Sequence, residues 1–176
     1  MGILPFPYAD GMQMKAIYAG SFDPVTNGHL DIIKRAKDIF GEVIVAVLDN
    51  TSKKELFTVE ERKELLHKVL DGEEGVEIDS FDGLLVDYAK KKNCKVIVRG
   101  LRSASDYFNE YTLAMANMHY KDGVETVFLL ASNENLFVSS TLAKEVSTFD
   151  GDTDLFVPPV VGEAMKKKLL RRKIWI

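Results

Sequence analysis

The chain has 176 residues, 46 % of them apolar and 28 % charged, a length that fills one domain and a composition that excludes disordered, collagenous and low-complexity classes. Its net charge of −4 is uneven: residues 164–176 hold six of the 23 basic residues and no acid, leaving 17 basic against 27 acidic residues and a body at −10, too acidic for a general nucleic-acid binder. A lone cysteine, Cys94, excludes a disulfide scaffold and a Cys-based zinc site, and apolar runs no longer than Val43–Leu48 exclude a membrane span, so the expected compartment is the reducing cytoplasm.

Residues 1–13, with two prolines and no period, read as an extension, disordered or added, ahead of a single domain over 14–176. From there two periodicities alternate. Strands are predicted over Ala16–Ala19, Glu42–Leu48, Val76–Ile78, Lys95–Val98 and Thr126–Leu130, and helices over Gly28–Phe40, Val59–Leu70, Leu84–Lys92, Ala104–Tyr120, Leu142–Thr148 and Pro159–Leu170. Thr58 followed by Glu61 is a capping box for the second helix, and the basic tail suits the C-terminal end of the last. Five strands each followed by a helix imply an α/β fold, a three-layer, Rossmann-like arrangement around a five-stranded parallel sheet. In such folds ligands sit beyond the C-terminal strand ends where strand order reverses, which points to the loops after strands one, four and five.

The first of these loops runs Gly20-Ser21-Phe22-Asp23-Pro24-Val25-Thr26-Asn27-Gly28-His29 into an amphipathic helix. A strand, a glycine-containing turn and a helix N-terminus present free N–H groups and a positive dipole end to an anion. The loop has neither the Gly-Lys-Ser/Thr ending of a Walker A loop nor the dinucleotide fingerprint G-x-G-x-x-G. It offers His29 in the first helical turn instead. Thr26-Asn27-Gly28-His29 resembles the [TH]-x-G-H signature of the nucleotidylyltransferase superfamily, and the ten-residue string is similar to bacterial phosphopantetheine adenylyltransferase.

Further stretches agree with that resemblance. Ser52-Lys53-Lys54 alone reads as a solvated loop, but the resemblance makes Lys53 a contact of the substrate phosphate and the reacting phosphates. Phe81-Asp82-Gly83-Leu84-Leu85 matches the family's pantetheine wall, which makes Leu85 an apolar substrate contact. Arginine just after a buried strand is costly unless an anion meets it, and Val98-Arg99-Gly100-Leu101-Arg102 matches the family's R-G-L-R. By that match Arg99 binds the pantetheine substrate while Gly100, Leu101 and Arg102 line the ATP site, joined by Glu110 on the next helix. Three positions apart in an extended segment, the two arginines are expected to point to opposite sides. The sequence departs from the family at Phe108-Asn109, where members commonly have Glu-Tyr.

After strand five, Asn135-Leu136-Phe137-Val138-Ser139-Ser140-Thr141 resembles the superfamily's second signature, I-S-S-[ST], with Val138 for isoleucine. Ser139, Ser140 or Thr141 is also a natural N-cap, a role compatible with phosphate binding. The resemblance implies that residues 135–141 close over ATP, with Ser21, Phe22 and His29 contacting it as well.

The implied reaction is attack by 4′-phosphopantetheine on the α-phosphorus of ATP, giving dephospho-coenzyme A and pyrophosphate. His29 would stabilise the transition state while Ser21 and Lys53 hold the incoming phosphate. Mg²⁺ is expected through the ATP phosphates, with no protein metal ligands; neither Asp23 nor Asp82 is assigned to it. The resemblance also implies a homohexamer and feedback inhibition by coenzyme A. Among alternatives, a nucleotidylyltransferase for nicotinamide mononucleotide or glycerol phosphate is disfavoured by Lys53 and R-G-L-R, and a non-catalytic nucleotide sensor by the intact Ser21, His29 and Lys53. An RNA-binding module lacks its basic, aromatic footprint.

Overall fold

The computed structural model describes residues 14–49, 55–120 and 124–173; the extension 1–13, Lys53 with its neighbours, and the last three residues of the basic tail lie outside the described residues. Five strands, β1 (Met14–Gly20), β2 (Gly41–Leu48), β3 (Val76–Phe81), β4 (Val96–Leu101) and β5 (Glu125–Leu130), pair in parallel in the order β3-β2-β1-β4-β5. The helices are α1 (Asn27–Phe40), α2 (Val59–Val69), α3 (Leu85–Lys91), α4 (Ala104–Tyr120), α5 (Ser140–Thr148) and α6 (Pro159–Lys173). A short 3-10 turn, Asn133–Asn135, precedes α5 and carries no period that the sequence could have announced.

Alternation along the strands divides the core in two. Ala16, Tyr18, Val43, Val45, Val47, Val96 and Val98 face α1, α2 and α6 through Ile32, Ile33, Leu66 and Met165, whereas Ile17, Ala19, Ile44, Ala46 and Ile97 face Tyr88, Ala89 and Cys94 around α3. Continuous apolar strands such as Val43–Val47 are what a sheet covered on both faces requires. Helix α1 turns directly into β2 at Gly41, whose φ of +87° is open to glycine and whose N–H bonds to the Lys37 carbonyl.

Two strands run farther than their apolar patterns suggest. β4 continues through Arg99, Gly100 and Leu101, which pair with Phe128, Leu129 and Leu130, and β3 continues to Phe81, which pairs with Leu48. Arg99 is therefore inside a strand rather than after one. Backbone pairing is indifferent to side-chain polarity, so an inward charge does not end a strand that has a neighbour on each side.

Sheet order reverses between β1 and β4, with β2 and β3 on one side and β5 on the other. The C-terminal ends of β1, β4 and β5 and the N-termini of α1 and α5 consequently gather at one point. Coverage is uneven at the β5 edge. Helix α4 buries only Ala114, leaving Tyr107, Phe108, Tyr111, Leu113, Met115, Met118 and Tyr120 exposed beside the exposed Leu130.

Candidate active site

A cavity of about 300 Å³ lies at the switch point between β1 and β4. Ser21 and Gly28 border it from the first loop, Arg99, Gly100 and Arg102 from β4 and its end, Glu110 from α4, and Asn135, Val138, Ser139, Ser140 and Thr141 from the segment entering α5. His29 stands between these groups. Tyr18, Gly20, Thr26 and Ile32 also line it; Gly20 and Thr26 belong to the string that carries the resemblance, whereas nothing in the sequence marks Tyr18 or Ile32. Tyr18 occupies an inward strand position two residues before Gly20, a signal shared with any core tyrosine, and burial pushes its hydroxyl up to about 12.

His29 is fixed by the helix it begins. Thr26 caps α1, its hydroxyl accepting from the His29 N–H at 3.3 Å, while the Thr26 N–H donates to His29 Nδ1 at 3.0 Å. This is a capping box in which histidine fills the position usually held by Glu or Gln. Because Nδ1 accepts a backbone N–H, the proton of the neutral ring belongs on Nε2, the donor on the opposite side. Phe22 packs edge-on against the ring at 5.0 Å. Burial, then Arg102 and Arg99, depress the imidazole to about 4, so it is a neutral hydrogen-bond donor at pH 7.

The two arginines border the same cavity, since Arg102 lies past the end of β4, where strand alternation no longer applies. Arg99 makes a two-pronged pair with Glu110 at 2.6 and 2.7 Å and donates to the Ala19 carbonyl. Arg102 pairs with Asp106 at 3.0 Å and donates to the Val138 carbonyl at 2.9 Å, tying β4 to the segment before α5. Both guanidinium groups are thus pre-aimed by their own carboxylates, and an entering anion replaces part of that pairing rather than ordering loose side chains.

Ser139 is the N-cap of α5, accepting from the Leu142 N–H at 3.1 Å. The Ser140 hydroxyl donates to the Pro24 carbonyl at 2.8 Å and so joins the two loops. Asp23 is buried behind them, accepting from the Leu56 and Phe57 amides at 2.9 Å and from Lys144 at 2.9 Å. Its role is to hold three segments together.

Several residues implicated by the resemblance stand back from the cavity wall. The Phe22 ring and Leu101 are in the core, Leu136 and Phe137 are exposed beyond the rim, and Leu85 packs against the opposite core cluster. Lys53 lies outside the described residues.

The cavity is therefore a concentration of donors in an acidic chain: two helix N-termini, two guanidinium groups, a neutral imidazole N–H and several hydroxyls. It suits a polyphosphate. Its one carboxylate, Glu110, is engaged by Arg99, and among the described residues no cluster of three acids, histidines or cysteines stands ready for a metal. The donor set matches the oxygens of a phosphate chain.

The profile of the cytidylyltransferase-like family matches residues 17–146. Among solved structures, Plasmodium falciparum nicotinic acid mononucleotide adenylyltransferase complexed with NaAD superposes with a TM-score of 0.64 at 14 % identity, covering 93 % of this chain and 98 % of its own, a likeness of fold. Phosphopantetheine adenylyltransferase of Leptospira biflexa is 50 % identical over 157 residues, 89 % of this chain and 98 % of its own length. The Alkaliphilus metalliredigens protein of the same name is 48 % identical over 152 residues, 86 % of this chain and 97 % of its own. On that identity, carried across nearly the whole of both relatives, the chain belongs to the phosphopantetheine adenylyltransferase family.

Proposed function

We propose that the cavity at the β1/β4 switch point is where this chain transfers the adenylyl group of ATP to 4′-phosphopantetheine, forming dephospho-coenzyme A and pyrophosphate. The observation that carries this reading is His29, whose Nδ1 is committed to the Thr26 amide so that its Nε2–H is offered to phosphate oxygens among Arg99, Arg102 and two helix N-termini.

A phosphate oxygen of phosphopantetheine bonds to the α-phosphorus while the bond from that phosphorus to the bridging oxygen breaks and pyrophosphate leaves. The nucleophile is already anionic, so no general base is required. What the chain supplies is alignment and stabilisation of charge on the α-phosphoryl group and the departing oxygen. Neutral His29 and Arg102 stand at the ATP end, and Ser21, Arg99 and Lys53 hold the incoming phosphate. The arginine-rich R-G-L-R wall favours a phosphorylated acceptor. Glu110 acts by fixing Arg99 as much as by any nucleotide contact. Bound with ATP, Mg²⁺ would supply charge neutralisation at the phosphates; no residue of the chain is assigned to hold it, and the protein's own donors do the positioning.

Three further properties complete the proposal. Coenzyme A shares the pantetheine arm with the product, so it competes for the same cavity. The exposed apolar stripe of α4 supports self-association, with a homohexamer as the expected assembly. The buried, free Cys94 suits a reducing cytoplasm, and among the described residues no helix is long and apolar enough to cross a membrane.

The deciding measurement is pyrophosphate release by pure protein with ATP and Mg²⁺. Turnover with 4′-phosphopantetheine and none with nicotinamide mononucleotide is expected; the reverse preference overturns the assignment.

A further inference from the structure

The most deeply buried charge in the described protein is not in the cavity but beneath it. Arg62, on the second turn of α2, is the largest fully buried side chain. Its Nη1 donates to the Ser21 carbonyl at 2.7 Å, to the Leu48 carbonyl at 3.2 Å and to Glu55 at 3.1 Å. Nη2 donates to the second oxygen of Glu55 at 2.5 Å, and Nε to the Thr58 carbonyl at 3.3 Å. Every nitrogen of the guanidinium is used, and two of the acceptors are carbonyls at the C-terminal ends of adjacent strands.

Stability alone is a weak reason for such an arrangement, because a buried ion pair is often replaced by apolar residues of similar volume without loss. The geometry of its acceptors is more informative. Ser21 borders the cavity, and Phe22 after it has φ +47°, left-handed backbone that a bulky aromatic side chain rarely adopts. Such a conformation persists only where its surroundings impose it. Arg62 imposes it by drawing the Ser21 carbonyl downward. In a trans peptide the C=O and N–H point oppositely, so the Phe22 N–H of that same peptide is turned away from Arg62. The Leu48 carbonyl and Glu55, gripped by the same guanidinium, bracket the segment of chain between β2 and α2.

We propose that Arg62 is a positioning residue for the reaction: it clamps the Ser21–Phe22 peptide from below and so fixes the Ser21 hydroxyl and the Phe22 N–H as donors to the phosphate held at the end of β1. This rests on the reading of the cavity as the adenylyl-transfer site. The ion pair with Glu55 sets the fork's rotation, which decides the direction of Nη1. Lysine at this position keeps the charge but has no fork, so it cannot hold Ser21, Leu48 and both oxygens of Glu55 together.

The test is Arg62→Lys, followed by kinetics, thermal melting and hydrogen exchange of the peptide spanning residues 18–24. Misplacing a donor by an ångström costs on the order of 10²-fold in rate, so kcat is expected to fall about 10- to 100-fold with both KM values within about twofold of wild type. Exchange of the peptide spanning residues 18–24 as a whole should rise about tenfold relative to amides of β2 and β4, as loss of a charge-assisted contact implies. A merely structural arginine would lower the melting temperature while leaving kcat and local exchange unchanged below it, and that result overturns the proposal. If Arg62→Lys does not fold, Glu55→Gln decides instead: a smaller fall in kcat with the same local rise in exchange is expected, and wild-type values for both sink the clamp. A wild-type protein inactive with 4′-phosphopantetheine would remove the proposed function, while the exchange measurement would still decide whether Arg62 holds the loop.

Discussion

Because the imidazole of His29 is both a helix cap and a donor to the cavity, one substitution disturbs two things, and two substitutions are needed to separate them. His29→Ala removes the capping box, a loss of about 1 kcal/mol, together with the Nε2 donor. His29→Gln keeps a side-chain acceptor for the Thr26 N–H and so preserves the cap. We expect kcat to fall by roughly 10²–10³-fold in His29→Ala with little change in KM for ATP, as for loss of one donor aimed at transition-state charge. His29→Gln should melt close to wild type yet remain strongly impaired. Equal melting temperatures for the two variants, or full activity in either, would contradict the double role.

The same residue sets a pH dependence. Its folded pKa of about 4 lies below the ordinary 6.5, so between these values the unfolded chain binds more protons than the folded one. Stability therefore falls as pH drops from about 6.5 towards 4, and the contribution is fully present above 6.5. In the free protein an NMR titration of the ring should find the midpoint near 4, and kcat/KM should show no inflection from His29 between pH 6 and 8. A midpoint near 6.5 would mean that the ring is neither desolvated nor shadowed by Arg99 and Arg102.

At the scale of elements, the site depends on ties between loops that are far apart in sequence. Asp23 joins the first loop to Leu56 and Phe57 and to α5, and Ser140 joins α5 back to Pro24. Asp23→Asn retains an acceptor for the amides but leaves Lys144 without its counter-charge. Since Lys144 is a third exposed, the cost should be about 2 kcal/mol, below the 3–5 of a fully buried pair, and it should be read in urea as a lowered midpoint at unchanged m. A loss under about 0.5 kcal/mol would mean that solvent already screens the pair. The arginines make a second element-scale test, because both are set by α4, Arg99 through Glu110 and Arg102 through Asp106 in its first turn, while Arg102 also reaches the Val138 carbonyl before α5. Arg99→Ala should raise KM chiefly for phosphopantetheine and Arg102→Ala chiefly for ATP, each losing about 1.5–3 kcal/mol of charge-assisted contact. Equal effects on both KM values would mean a single shared phosphate position in the one cavity that both border.

What was legible in the sequence follows the same division. Periodicity placed all five strands and six helices, and the loop string around Gly28-His29 marked where to look, because helix starts and phosphate-facing turns are local events written in adjacent residues. The tautomer of His29 was local too, though it emerges only once Thr26 is seen to cap and be capped in return. The Arg99–Glu110 pair, the Arg62 fork and the hub at Asp23 were not legible. Each joins residues whose separation is bridged by tertiary folding: Arg62 reaches back 41 positions to Ser21, and Lys144 lies 121 from Asp23. Nor could the continuation of β4 through Arg99 be read, since pairing with β5 rather than side-chain polarity extends it.

For the whole molecule the outstanding feature is the outer face of α4. Tyr107, Tyr111, Met115 and Met118 recur at spacings of four, four and three along one stripe of a 17-residue helix, each at least 42 % exposed, beside Leu130 on the edge strand. Among the described residues the stripe is mostly uncovered, with Tyr107 meeting Phe128 edge-on at 6.1 Å, and amphipathic helices do not ordinarily turn their aromatic side to water. The proposed self-association through α4 would cover the stripe and leave the loops after β1 and before α5 uncovered, so each protomer would keep its own cavity loops. Tyr111→Lys and Met115→Lys are therefore expected to shift the mass seen by light scattering from a hexamer towards single chains, by setting like charges into a dry contact, while circular dichroism stays unchanged. Both variants remaining at the wild-type mass would place the contact elsewhere on the surface, and a wild-type protein that is already a monomer would remove the hexamer from the proposal.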